Sequence, residues 1–228
     1  MLIGKGTKLF YQKKTNMHIA ILATDWMRKA IEATTIPATT HITWVAHISE
    51  LAKVHADVYI DGLYDIEDNH NTFLQPIQHK SIWISSVIQT IDDIAFPCTR
   101  FNGWNTLFNT KNVEIVTHAS LKENIISITN ALQWNYTIVP DTPGMVTAKI
   151  IAMIINEAYY TLGDEVSTKK NIDIAMQLGT NYPYGPFEWA AHIGLEHIYK
   201  LLKNLSISDE RLVVAKALEA EWLDKLKG

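Results

Sequence analysis

The sequence predicts an α/β fold: a mostly parallel, doubly wound sheet in the first part of the chain, followed by an all-helical domain. Three observations predict it. From residue 18 onward, short β-rich runs alternate with helical stretches, the pattern of βαβ units. The texture changes after Pro140, where the runs become long and helical. The stretch from Thr142 to Tyr160 is apolar around nearly the whole helical wheel, which marks a central helix covered on all sides.

The elements follow in order. His18 to Ala23 reads as a buried strand, Trp26 to Ala33 as a helix, and His41 to Ala46 as a second strand. Ser49 to Val54 reads as a helix with Ser49 as its cap. Asp57 to Ile60 and Ser81 to Ile84 are further strands, and Phe101 to Phe108 and Val113 to Val116 add more. In the second part, Ser167 offers an N-cap for a helix through Met176, with Gly179 placed to end it. Gly185-Pro186 opens a third helix, because proline is tolerated at the first helical position. Two more helices are expected, over Glu196 to Leu202 and over Asp209 to Lys225, the last capped by Ser208. Trp44, Trp83 and Trp104 fall on strand segments as core residues, while Trp189 and Trp222 are candidates for a subunit contact.

Composition removes several function classes. The chain has 228 residues, a formal net charge of -4 and no long basic run, so a nucleic-acid partner is not expected. Ile150 to Ile155, the longest apolar stretch, is too short to span a bilayer, and the N-terminus lacks a signal-type apolar core. A cytoplasmic location with no membrane partner is the expectation. The single cysteine, Cys98, permits no internal disulfide. The 9 histidines form no H-x-x-x-H pair and there is no C-x-x-C, so no metal site is expected. Gly4-Lys5-Gly6 is not a P-loop, since no strand and helix flank it.

The second part carries an ordered series of motifs. Asp141-Thr142-Pro143-Gly144-Met145-Val146 is followed by Asn156-Glu157-Ala158 and then by Ile172-Asp173-Ile174-Ala175-Met176-Gln177-Leu178-Gly179. Pro183-Tyr184-Gly185-Pro186-Phe187-Glu188 and Ile193-Gly194-Leu195-Glu196 complete it. In order and spacing the series resembles the C-terminal domain of the 3-hydroxyacyl-CoA dehydrogenase family. In the first part, Ala56 to Asp61, Thr90 to Ala95, Arg100 to Asn105 and Val113 to Val116 resemble that family more loosely. The resemblance implies a shortened Rossmann-like, NAD-binding-type domain over residues 1–139. It implies a helical domain of the 6-phosphogluconate-dehydrogenase type over residues 140–228, which in the family builds the homodimer interface.

The resemblance also implies a site, and the sequence departs from it. The glycine-loop positions that would approach the NAD pyrophosphate fall on Ala23, Asp25 and Arg28, where Asp25 brings negative charge and Arg28 a cation in another geometry. The catalytic histidine position falls on Asn105, which does not titrate. Its orienting glutamate falls on Glu114. His118 lies a few residues on and reads as a surface residue. The serine position lies at Ile84, Ser85 or Ser86, with Ser86 taken as the candidate, and the asparagine after Pro-Gly falls on Ala148 beside Lys149. The helical insertion after the second strand is absent. Three functions stay open: a pseudoenzyme that binds an acyl-CoA or nucleotide-like ligand, an active NAD-dependent oxidoreductase with a rebuilt site, and a non-catalytic dimerisation or interaction protein.

Overall fold

The computed structural model describes residues 16–65, 69–94 and 96–227, so Gly4-Lys5-Gly6 and Ala95 lie outside the described residues. Seven strands form one sheet in the order β2-β1-β3-β4-β5-β6-β7. They are β1 (Met17–Leu22), β2 (Thr40–Val45), β3 (Val58–Asp61), β4 (Ser81–Ile84), β5 (Thr99–Phe101), β6 (Val113–Thr117) and β7 (Tyr136–Ile138). All neighbouring pairs are parallel except β5 and β6. Strand β5 ends at Phe101, so the segment to Phe108 is loop and not the longer strand expected.

The two-residue period of the strands divides the core into two layers. Ile19, Ile21, Val58, Ile60 and Trp83 face helices α1 (Asp25–Glu32) and α4 (Ile125–Leu132), through Met27, Ile31, Ile125 and Ile128. Ala20, Leu22, Tyr59, Ile82 and Ile84 face the other side, with Leu51 of α2 (Ile48–Leu51) and Leu74 of α3 (His70–Leu74). Helix α2 is short and its N-cap is His47 rather than Ser49. It is the only helix between β2 and β3, so no helical insertion intervenes there. Trp83 and Trp104 are core residues, whereas Trp44 is half-buried on the edge strand.

The second part holds five helices among the described residues: α5 (Thr147–Gly163), α6 (Lys169–Thr180), α7 (Pro186–Ile193), α8 (Leu195–Ser206) and α9 (Lys216–Lys225). The motif residues are the joints of this assembly. Asn156, 2% exposed, donates to the Val213 carbonyl at 2.8 Å and accepts from Ala215 N at 2.9 Å. Asp173 on α6 accepts from Phe187 N at 2.8 Å at the start of α7, and a Cβ at Gly185 would sit 2.3 Å from the same carboxylate. Gly194 joins α7 to α8 at φ +103, where a side chain would be strained.

Several sequence expectations are corrected here. Thr168, not Ser167, caps α6 by accepting from Asn171 N, and the helix runs through Gly179 to a left-handed Asn181. The last helix does not run from Asp209: a 3-10 turn over Glu210–Leu212, capped by Asp209 rather than Ser208, precedes α9. The two Asn156 bonds hold Val213 to Ala215 out of helical geometry. Trp189 is 4% exposed and packs inside the helical core of its own chain, while Trp222 packs against Tyr199. Helix α5 is not covered all round: Val146, Ile150 and Met153 line an exposed face.

Candidate functional site

In an open parallel sheet, ligands bind outside the carboxyl ends of the strands where the strand order reverses. Here that place lies between β1 and β3, at the N-terminus of α1. The helix is already capped, because Thr24 Oγ1 accepts from Met27 N at 3.4 Å. Ala23 is half-buried and Asp25 is exposed in the first helical turn. Arg28 pairs with Glu32 at 2.8 Å and lies over the Trp44 ring at 4.9 Å, so its charge is engaged. Across the crevice, Gly62 N donates to Leu22 O at 2.7 Å. The space a Gly62 side chain would take is held by Met27 Sδ, 2.6 Å from that Cβ position. Past β2 comes Ala46, whose N–H is accepted by Glu50 at 3.1 Å. These residues do not fit the cradle of free backbone N–H groups that a dinucleotide pyrophosphate requires.

The second group of positions lies at the ends of β4 and β5. Ser85 and Ser86 are buried, and Ser86 Oγ reaches only the Gln89 carbonyl at 3.5 Å. The loop after β5 passes close by: a Cβ on Gly103 would lie 2.3 Å from Ser85 Oγ. In that loop Asn105 turns its amide to the His192 carbonyl on α7, at 3.2 Å. Glu114, on β6, bonds instead with Asn102 Nδ2 at 3.2 Å and with Thr147 N and Oγ1 at 2.9 and 2.5 Å. A carboxylate at the first residue of α5 satisfies orphan N–H donors and complements the helix dipole. Ala148 is fully buried. His118 is half-buried and caps the 3-10 helix over Ala119–Asn124. The fold thus brings the Ser85 and Asn105 segments together but directs Glu114 to α5.

Two clusters at this junction were not visible in the sequence. Arg100, fully buried, donates to the carbonyls of Ser86 at 3.0 Å and Val87 at 3.4 Å, and pairs with Asp141. Asp141 also accepts from Ile91 N at 2.9 Å, so the openings of two motifs meet on one ion pair. The other cluster is centred on Asp65. Its carboxylate accepts from Val87 N at 2.6 Å and Trp104 Nε1 at 3.0 Å, and its carbonyl meets His197 Nε2 at 3.0 Å. Burial pushes the Asp65 carboxyl up to about 6, against the pull of its hydrogen bonds and of His197 and Arg100. Trp104 and Val87 belong to the helical core, so the strand-end loops are packed into the second half. The only sequence signal was polar residues just past strand ends, which names no partners.

No group of three or more His, Cys, Asp or Glu suited to a metal occurs among the described residues. No helix among them is long and apolar enough to cross a membrane.

Comparison with known proteins agrees with this architecture. A family model described as the 3-hydroxyacyl-CoA dehydrogenase C-terminal domain matches residues 144–226. The 3-hydroxyadipyl-CoA dehydrogenase of Escherichia coli (strain K12) is 49% identical over 67 residues, 29% of this chain and 14% of that protein. The 3-hydroxybutyryl-CoA dehydrogenase of Bradyrhizobium diazoefficiens is 35% identical over 91 residues, 37% of this chain and 31% of that protein. Less than a third of either relative is therefore matched. Among solved structures, the (S)-3-hydroxybutyryl-CoA dehydrogenase of Ralstonia eutropha superposes over 90% of this chain and 93% of its own, with TM-score 0.66 and 18% identity, a likeness of fold. The 3-hydroxybutyryl-CoA dehydrogenase of Escherichia coli K12 superposes over 62% of this chain and 31% of its own, with TM-score 0.52 and 32% identity. Residues 144–226 thus match the C-terminal domain of the 3-hydroxyacyl-CoA dehydrogenases, and the likeness of the first part of the chain is one of fold.

Proposed function

We propose that this chain is a non-catalytic relative of the 3-hydroxyacyl-CoA dehydrogenases, a pseudoenzyme that keeps the helical assembly domain and has lost hydride transfer. One observation carries the reading: Asn105, which by the resemblance takes the place of the family's acid/base histidine, gives its amide to the His192 carbonyl. An asparagine neither takes nor gives a proton at neutral pH. Two further observations support it. Glu114 is occupied at the start of α5, and the α1 N-terminus, bearing Thr24 and Asp25, is a poor seat for NAD. The reading divides the chain into residues 1–139 and 140–228 and places the protein in the cytoplasm. Its ligand, where it takes one, is an acyl-CoA or nucleotide-like molecule held without turnover.

Assembly as a homodimer through α5 and α6 belongs to the same reading. A groove of about 650 Å³ runs between these helices, lined by Ile150, Met153, Ile154, Ile172, Ala175 and Met176. Ile150 is 52% exposed, and Val166 and Leu178 are 71% and 83% exposed. Apolar patches of this kind mark protein–protein contacts.

One observation favours a second reading, an active enzyme with a rebuilt site: Asp65, held near neutrality beside Trp104 and His197, is the kind of group acid/base chemistry needs. NADH oxidation with acetoacetyl-CoA separates the two. The expected rate is that of the enzyme-free control. Turnover above it that Asp65→Asn abolishes overturns the pseudoenzyme reading. Thermal stabilisation by acyl-CoA without turnover identifies a retained binding role.

A further inference from the structure

Away from the sheet and from the α5–α6 groove, a cavity of about 170 Å³ lies between α5, α7 and α9. Its floor is apolar, from Phe187, Ala190 and Leu195, and its rim carries Lys169, Glu221 and Lys225. We propose that this cavity is a binding site for a small monocarboxylate with a short apolar tail.

Charge and size define the ligand. Lys169 Nζ contacts Glu221 Oε2 at 2.5 Å, and Tyr159 donates to the same oxygen at 2.9 Å. The Glu221 charge is thereby spent inside the cage. Lys169 is fixed in place, its ammonium 5.4 Å from the ring centroids of both Tyr159 and Phe187. Two lysines against one glutamate leave one net positive charge on the rim, that of Lys225, which is exposed and has no ion pair among the described residues. One anionic group balances it. A water molecule's share of liquid volume is about 30 Å³, so the cavity accommodates on the order of six to eight non-hydrogen atoms. A four- to six-carbon acid, on the order of that size, sets its carboxylate between Lys225 and Lys169 and its tail on the floor. The site uses none of the positions discussed above for hydride transfer, so it stands whether or not the chain is an enzyme.

The test is isothermal titration of the full chain with hexanoate, with hexylamine and hexanol as controls. Saturable binding of hexanoate alone is expected. Lys225→Glu weakens it at least tenfold. Ala191→Phe, a change at an exposed lining residue, fills the mouth and abolishes it. Circular dichroism confirms that both variants fold. No saturable binding overturns the proposal. So does binding that both folded variants retain, which places the acid elsewhere, and so does a preference for hexylamine.

Discussion

Asp65 makes the stability of the chain depend on pH in a direction opposite to that of an ordinary ion-paired carboxylate. Its folded value is about 6, against about 3.9 for a free aspartate. A raised carboxyl binds its proton more tightly in the folded state. The favourable contribution is complete below the unfolded value and is lost as pH rises through the folded one. Between pH 4.5 and 7.5 the linkage integral amounts to about 2 kcal/mol of lost stability. Asp65→Asn removes this term. The amide oxygen still accepts from Val87 N and Trp104 Nε1, while the new N–H group, if unsatisfied, costs roughly 1–3 kcal/mol at every pH. The informative quantity is therefore a difference of differences. Urea unfolding of both proteins at the two pH values should show the variant gaining about 2 kcal/mol on the parent as pH rises. A gap that stays constant, or closes the other way, refutes the placement of a desolvated carboxylate at this junction.

Other substitutions follow from the same geometry. Glu114→Gln keeps one acceptor for α5 but loses the charge at the helix start, and should lower stability by about 1–2 kcal/mol in chemical denaturation. Arg100→Met leaves two carbonyls without their donor, while Asp141 stays partly solvated, and should cost roughly 1–3 kcal/mol, read as a drop in the denaturation midpoint. For the proposed homodimer, light scattering of the parent chain should give a dimer mass, and Ile150→Glu, on an exposed helix face, should move it to a monomer mass with the far-UV spectrum unchanged.

How much of the fold was legible depended on where each element finds its partners. Strands β1, β3, β4 and β6 were readable because burial on both faces leaves apolar runs such as Ile19 to Leu22, while β2, at the sheet edge, was read from its β-branched and aromatic residues. Helix α4 and strand β7 were not, since Tyr136–Ile138 is three residues at a sheet edge with little apolar signature. The long helix expected from Asp209 failed for a tertiary reason: Asn156, more than fifty positions away, takes the backbone groups of Val213 and Ala215 that a helix would use. The cap of α6 was missed by one residue because Ser167 and Thr168 carry the same hydroxyl, and only the bond to Asn171 N distinguishes them. The apolar girth of α5 was read correctly from composition but misassigned, because a wheel cannot say whether its outer face is covered by its own chain or by another.

The contacts at the candidate site were not legible in the sequence, and the reason lies in what the motifs do. Asp141 binds Arg100, Asn156 ties α5 to the approach of α9, Asp173 caps α7 and excludes a side chain at Gly185, and Gly194 turns α7 into α8. Each is an internal bond of the fold, and none requires a substrate. Changing any one of them exposes a buried polar group or forces a forbidden backbone angle, so the fold holds them whether or not the chain is an enzyme. Glu114 shows the same logic from the catalytic side. On the proposed reading it has no histidine to orient, and it still satisfies two donors at the start of α5, Thr147 N and Oγ1. A glutamate found at this position is therefore evidence for the joint between β6 and α5, and activity has to be argued from the residue it faces.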